Sequence, residues 1–99
     1  RSDSPKAAVE IMSARPVVKT STMSSEMHDA AIEVALAAIR DNNTERTIAA
    51  AITSQFSQRY PSVWHCFVGR NFGSFVTHEA GKHIYFYVGQ VGVCLFATA

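Results

Sequence analysis

Charge is scarce in this chain of 99 residues: Asp, Glu, Lys and Arg make up 17% of it and the formal balance is only +1. So small an imbalance supplies no broad field, so neither nucleic acid nor a membrane surface is an expected partner. Cysteine is scarce too. Cys66 and Cys94 are the only two; they lack a CxxC spacing and fall in apolar strand patterns, which argues against a disulfide framework and for reduced, buried thiols in a cytosolic protein. No apolar run approaches the roughly 20 residues of a membrane-spanning helix. The N-terminus shows neither a hydrophobic secretory core nor a readable address.

Apolar residues are plentiful at 47%, enough for one compact domain with one core, burying about 65% of its unfolded surface. Residues 1–16 read as a flexible N-terminal extension, since Arg, Ser, Asp, Pro and Lys mix there without periodicity and Pro5 opposes a helix. The domain occupies 17–99. Val17 and Val18 suit a short strand. Met27, Ala30, Ala31, Val34, Ala35 and Ala38 recur at helical spacing after Ser24 and Ser25, and Asp41, Asn42 and Asn43 end that helix. A second helix from about Thr44 to Tyr60 carries Ile48, Ile52 and Phe56 on one stripe, with Glu45, Gln55, Gln58 and Arg59 opposite, and Pro61 stops it.

The remainder alternates with period two. Trp64, Cys66 and Val68 share one face of a strand and His65 and Phe67 the other; both faces are apolar, so an interior strand is expected. After Gly69, the run Arg70 to His78 reads as an edge strand whose small residues invite pairing with a second chain. Lys82 to Val88 and Val91 to Ala97 flank Gly89-Gln90, a tight-hairpin signal. Pairing Val88 with Val91 sets Tyr87 opposite Gly92, Tyr85 opposite Cys94 and His83 opposite Phe96, leaving Ile84, Phe86, Val88, Val91, Val93 and Leu95 to face the helices. The fold class is α+β, two helices packed on an antiparallel sheet.

Reactive chemistry finds little footing. His65, Cys66, His78, His83 and Cys94 match no compact metal-ligand spacing, so no metal is expected. Cys66 lies mid-strand, where no helix terminus stabilises a thiolate. Glu79 has no acidic partner. Arg70 to Val76 resembles an RNA-recognition strand, but its rings fall on opposite faces and the element order differs from that module. No enzymatic activity and no cofactor are expected.

The run Trp64 to Glu79, with Ile84 to Val91 and Leu95-Phe96, closely resembles the eight-kilodalton cytoplasmic dynein light chain family; Met23-Ser24, Glu26-Met27 and Ile48-Ala49-Ala50 agree more loosely. The resemblance spans about residues 17–99 and implies a strand-exchanged homodimer. Each of two symmetric grooves would take an extended client segment by strand addition. By resemblance the groove comprises Arg70, Asn71, Phe72, Gly73, Ser74, Phe75, Val76, Thr77 and His78, with Tyr85, Tyr87, His83, Gly92 and Cys94. Glu45 and Arg46 join it at the start of the second helix, where free amides suit a client glutamine. The dimer interface would contain His65, Phe75 and Thr77, and protonation of a buried His65 would oppose dimerisation.

Implied partners are the dynein intermediate chain and other proteins with disordered Gln-Thr segments, in the cytoplasm and cytoskeleton or an axoneme. An alternative is a dynein-independent regulator or inhibitor of an enzyme held in the same groove. Departures from the family pattern cluster at the groove. Phe75 stands for a tyrosine, His83 for a phenylalanine, Gly92 for an alanine and Cys94 for a leucine, and the proline at 61 is shifted by one. Together these imply a retained binding mode with altered client preference.

Overall fold

Two hydroxyl caps fix where the helices begin. In the computed structural model, which describes residues 15–70 and 82–98, Ser24 and Thr44 have extended backbone and precede α1 (Ser25–Asp41) and α2 (Glu45–Arg59). Met27 N donates to Ser24 Oγ at 3.3 Å. Thr47 N donates to Thr44 Oγ1 at 3.1 Å, and Thr44 N returns a bond to Thr47 Oγ1 at 3.3 Å, satisfying amides that have no acceptor within the helix. At the other ends, Asn42 Nδ2 donates to Ala38 O at 2.9 Å, and Tyr60 N reaches Phe56 O at 2.8 Å before Pro61.

The strands β1 (Pro16–Ser21), β2 (Val63–Gly69), β3 (His83–Val88) and β4 (Val91–Thr98) form an antiparallel sheet in the order β1-β3-β4-β2. Both helices cover one face of it. The core joins Ala31, Val34, Ala35 and Ala38 of α1 and Ile48, Ile52 and Phe56 of α2 to Ile84, Phe86, Val88, Val93 and Leu95 of the sheet. The helical spacing read from the sequence therefore marks the buried stripes correctly, because each apolar position has a sheet partner to bury against. Trp64 seals the end of α2: its Nε1 donates to Tyr60 O at 2.9 Å and its ring meets Phe56 edge-on at 4.9 Å.

The β3–β4 hairpin has the expected register, with Val88 paired to Val91, Tyr87 to Gly92, Tyr85 to Cys94 and His83 to Phe96. Gly89 supplies the positive φ of 62° that the two-residue turn requires. In β1 the register slips between Val18 and Thr20, which pass over Lys19, so that Val17 pairs with Tyr87 and Thr20 with Tyr85.

Among the described residues β2, the strand anticipated as interior, pairs with β4. Helix α2 covers its Trp64 face, but on the other face His65 is exposed and Phe67 is 50% exposed. Of the anticipated edge strand only Arg70 is described; Asn71 to His78 lie outside the described residues, as does the extension up to residue 14.

Phe56→Ala should lower stability by about 3–5 kcal/mol, because it removes a fully buried ring and its packing against Trp64. Thr44→Ala should cost only about 1 kcal/mol. Denaturant unfolding of both variants checks the ordering, and equal losses would contradict this account of the core.

Candidate functional site

The sheet face away from the helices holds most of the described residues singled out by sequence. Because Cα partners in antiparallel strands share a face, the register arranges them in rows. Val17, Tyr87, Gly92 and Gly69 form one row, Thr20, Tyr85, Cys94 and Phe67 the next, and His83, Phe96 and His65 the third. His83, Gly92, Cys94 and Phe96 are buried, Tyr85 and Tyr87 half-buried, and His65, Phe67 and Val17 exposed.

Rings and phenols knit the rows together. Tyr85 Oη donates to Tyr87 Oη at 3.1 Å, with ring centroids 5.6 Å apart. His65 stacks on Phe96 at 5.2 Å and shares a hydrogen bond of 3.2 Å between its Nε2 and Thr98 Oγ1. Phe67 approaches Phe96 at 6.0 Å. The described carboxylates, Glu26, Asp29, Glu33, Asp41 and Glu45, all belong to α1 or α2.

Proton affinities on the sheet oppose reactivity. Burial pushes the Cys94 thiol up to about 11, and it raises Cys66 further, with Cys94 adding to the shift. Tyr85 is pushed up to about 12 by burial and by its bond to Tyr87. Such thiols hold their protons at neutral pH and are poor nucleophiles. Both cysteines are free; Cys66 packs towards the helices while Cys94 lies in the outer rows. Among the described residues no three His, Cys, Asp or Glu side chains converge as a metal would require. A cleft of about 260 Å³ between the helices, lined in part by Glu33, Ala37, Ala51 and Arg59, contains none of the outer-face residues.

Not every expected groove residue is brought together. Glu45 and Arg46 are exposed in the first turn of α2, within the helix layer that covers the opposite face. One chain therefore does not gather the whole set. Sequence reading did not include Val17, Thr20 or Phe67 among the groove residues. The alternation of β2 gives the face of Phe67, but the slip that aligns Val17 and Thr20 with the tyrosines leaves no pattern to read.

The model of the family described as dynein light chain type 1 matches residues 15–98. This chain belongs to the dynein light chain family. Its fold is also that of the dynein light chain-like domain of the Fasciola hepatica calcium binding protein FhCaBP2. That likeness has a TM-score of 0.71 at 19% identity and covers 88% of this chain and 94% of that one. The DLC-like domain of CsTAL3 matches with a TM-score of 0.71 at 11% identity, covering 84% and 92%. At these identities the likeness speaks to fold alone. Dynein light chains are in general non-enzymatic adaptors that dimerise and bind other proteins in cytoplasmic or cytoskeletal settings. No described helix is long and apolar enough to cross a membrane.

The thiols set a pH dependence. The unfolded chain releases thiol protons near 9 while folded Cys94 keeps its proton to about 11, so across that interval the folded state binds more protons. Stability should hold below pH 8 and fall as the pH rises from 9 to 11, read from denaturant midpoints. A Cys66→Ala/Cys94→Ala variant should show a shallower fall, and an equal fall in both proteins would refute the assignment. Thiol reagents at pH 8 should label the folded protein far more slowly than the unfolded chain.

Proposed function

We propose that this chain is a homodimeric, non-enzymatic adaptor that takes extended client segments by strand addition in two symmetric grooves. The observation carrying this reading is β2, apolar on both faces yet at the end of the described sheet, with Phe67 50% and Val63 57% exposed. A strand of that kind is completed by another chain. In the proposed dimer each chain passes the segment beginning at Arg70 to its partner's β2, which covers the outer face and makes β2 interior.

The client would lie along the Arg70–His78 edge, with main-chain hydrogen bonds supplying affinity and alternate side chains reading Tyr85, Tyr87, His83, Gly92 and Cys94. Glu45 and Arg46, which a single chain keeps away from that face, would be supplied by assembly. The expected clients are disordered segments with a Gln-Thr anchor, the dynein intermediate chain among them, which places the protein with dynein in the cytoplasm and cytoskeleton. Two grooves on one dimer would clamp paired clients, so that contacts of micromolar strength gain ~100-fold or more when geometry allows both to engage.

Sedimentation equilibrium of the free protein should return a dimer, and isothermal titration with a Gln-Thr intermediate chain peptide should saturate at one peptide per chain. A monomer, or a dimer that ignores such peptides, would refute the reading. Phe67→Glu should shift sedimentation to the monomer while circular dichroism keeps its helical signal, because a carboxylate would have to be buried at the new contact.

A further inference from the structure

Several hydroxyls of this fold serve its own backbone. Ser24 and Thr44 cap the helices, Thr53 Oγ1 donates to Ala49 O and Ala50 O at 3.1 Å, Thr22 Oγ1 donates to His83 O at 3.4 Å, and Ser21 Oγ accepts from Met23 N at 3.3 Å. Ser25, Ser54 and Ser57 lie within helical turns. Ser62 differs. Its Oγ accepts from Lys82 Nζ at 3.0 Å, a solvent-exposed contact that sets an ammonium against the hydroxyl oxygen.

The connection that carries Ser62 is short and extended. Helix α2 ends at Arg59, Tyr60 follows with φ −131° and ψ 115°, and β2 begins at Val63. Pro61 and Val63 are exposed and Ser62 is half-buried, so the hydroxyl is presented outside any helical turn, as recognition in extended form requires. Continuing the alternation of β2 puts Ser62 on the side of Trp64, away from the outer face bearing Val63 and Phe67. Covering that outer face does not require covering Ser62.

Two cations flank the hydroxyl. Arg59, three residues before Ser62, is exposed and belongs to neither of the described ion pairs, His28–Asp29 and Arg40–Asp41. A guanidinium so placed beside a presented serine is what an arginine-directed protein kinase reads, since carboxylates in its cleft take the planar donor fork in two bonds. Lys82 suits the product of such a reaction. A phosphate carries about −1.5 to −2 charge, and the ammonium already lies within hydrogen-bond distance of Oγ, where it can hold that charge. Ser62 and Lys82 stand immediately before β2 and β3, so the bond joins the two ends of the chain between them.

We propose that Ser62 is a phosphorylation site for an arginine-directed protein kinase and that Lys82 holds the phosphate. In this step the bond from Ser62 Oγ to the γ-phosphorus of ATP forms as the bond from that phosphorus to the β–γ bridging oxygen breaks. ADP leaves, and the hydroxyl proton passes to the catalytic aspartate of the kinase. The site is independent of the adaptor reading.

The test treats the full-length protein, and a peptide spanning residues 59–67, with the catalytic domain of a calmodulin-dependent protein kinase and MgATP, and maps phosphate by mass spectrometry. Ser62 should be modified in both. Arg59→Ala, in a full-length protein that keeps its helical circular dichroism, should slow the reaction ~10-fold, the worth of one charge-assisted contact. Lys82 should react several-fold more slowly with acetic anhydride once Ser62 is phosphorylated, while Lys19 is unaffected. Absence of phosphate from Ser62 of the unaltered protein would overturn the inference whether or not the peptide is labelled, and that result needs no variant to fold. A rate indifferent to Arg59 would remove the arginine-directed kinase, and Lys82 reactivity unchanged by phosphorylation would remove its hold on the phosphate.

Discussion

The rest of the structure depends on the need to cover β2 on both faces. Its helix-facing side is satisfied within the chain, where Trp64 closes against Phe56 and Tyr60. On its other side, among the described residues, Val63 and Phe67 keep 57% and 50% of their surface exposed, since both helices lie on the opposite face of the sheet. Burying a side chain such as Phe67 fully contributes about 1.5–3 kcal/mol. Val63 and Val17 are exposed on the same face. Their combined burial is a sufficient driving force for assembly only if the second layer arrives with matching shape, and another copy of the same strand-rich half is a ready source of it.

That constraint also separates two kinds of work within the chain. The helices take the described carboxylates and present a wet surface, and their inward stripes of alanine, isoleucine and phenylalanine hold the sheet flat against them. The outer face takes aromatics, imidazoles, glycine and a thiol. Among the described residues, a face so composed has little Coulombic grip on a ligand, and burial pushes its Cys94 thiol and Tyr85 phenol further above the neutral range in which they would do chemistry. In the proposed adaptor, recognition there would come from main-chain pairing and shape.

Much of this was legible in the sequence because local rules agreed with one another. Ile48, Ile52 and Phe56 repeat every four residues, Thr44 and Pro61 bracket them, and the structure buries that stripe. Gly89-Gln90 determined the hairpin and with it every pairing between β3 and β4. Two features escaped for physical reasons. The slip past Lys19 in β1 belongs to pairing between distant segments and has no local signal, so the alignment of Thr20, in place of Lys19, with Tyr85 could not be foreseen. The neighbour of β2 was not legible either, because two apolar faces imply burial without saying whether the same chain provides it.

The same logic bears on how selective the proposed groove would be. A pocket built on charge rejects a mismatched partner strongly, since an unpaired buried charge costs several kcal/mol. A pocket built on backbone bonds and ring surfaces penalises a poor fit by the missing contact area alone, typically 1–3 kcal/mol for a changed side chain. Sequence tolerance is therefore expected of a face whose described residues include no carboxylate, and in the proposed dimer affinity lost at one groove would be recovered by pairing two of them.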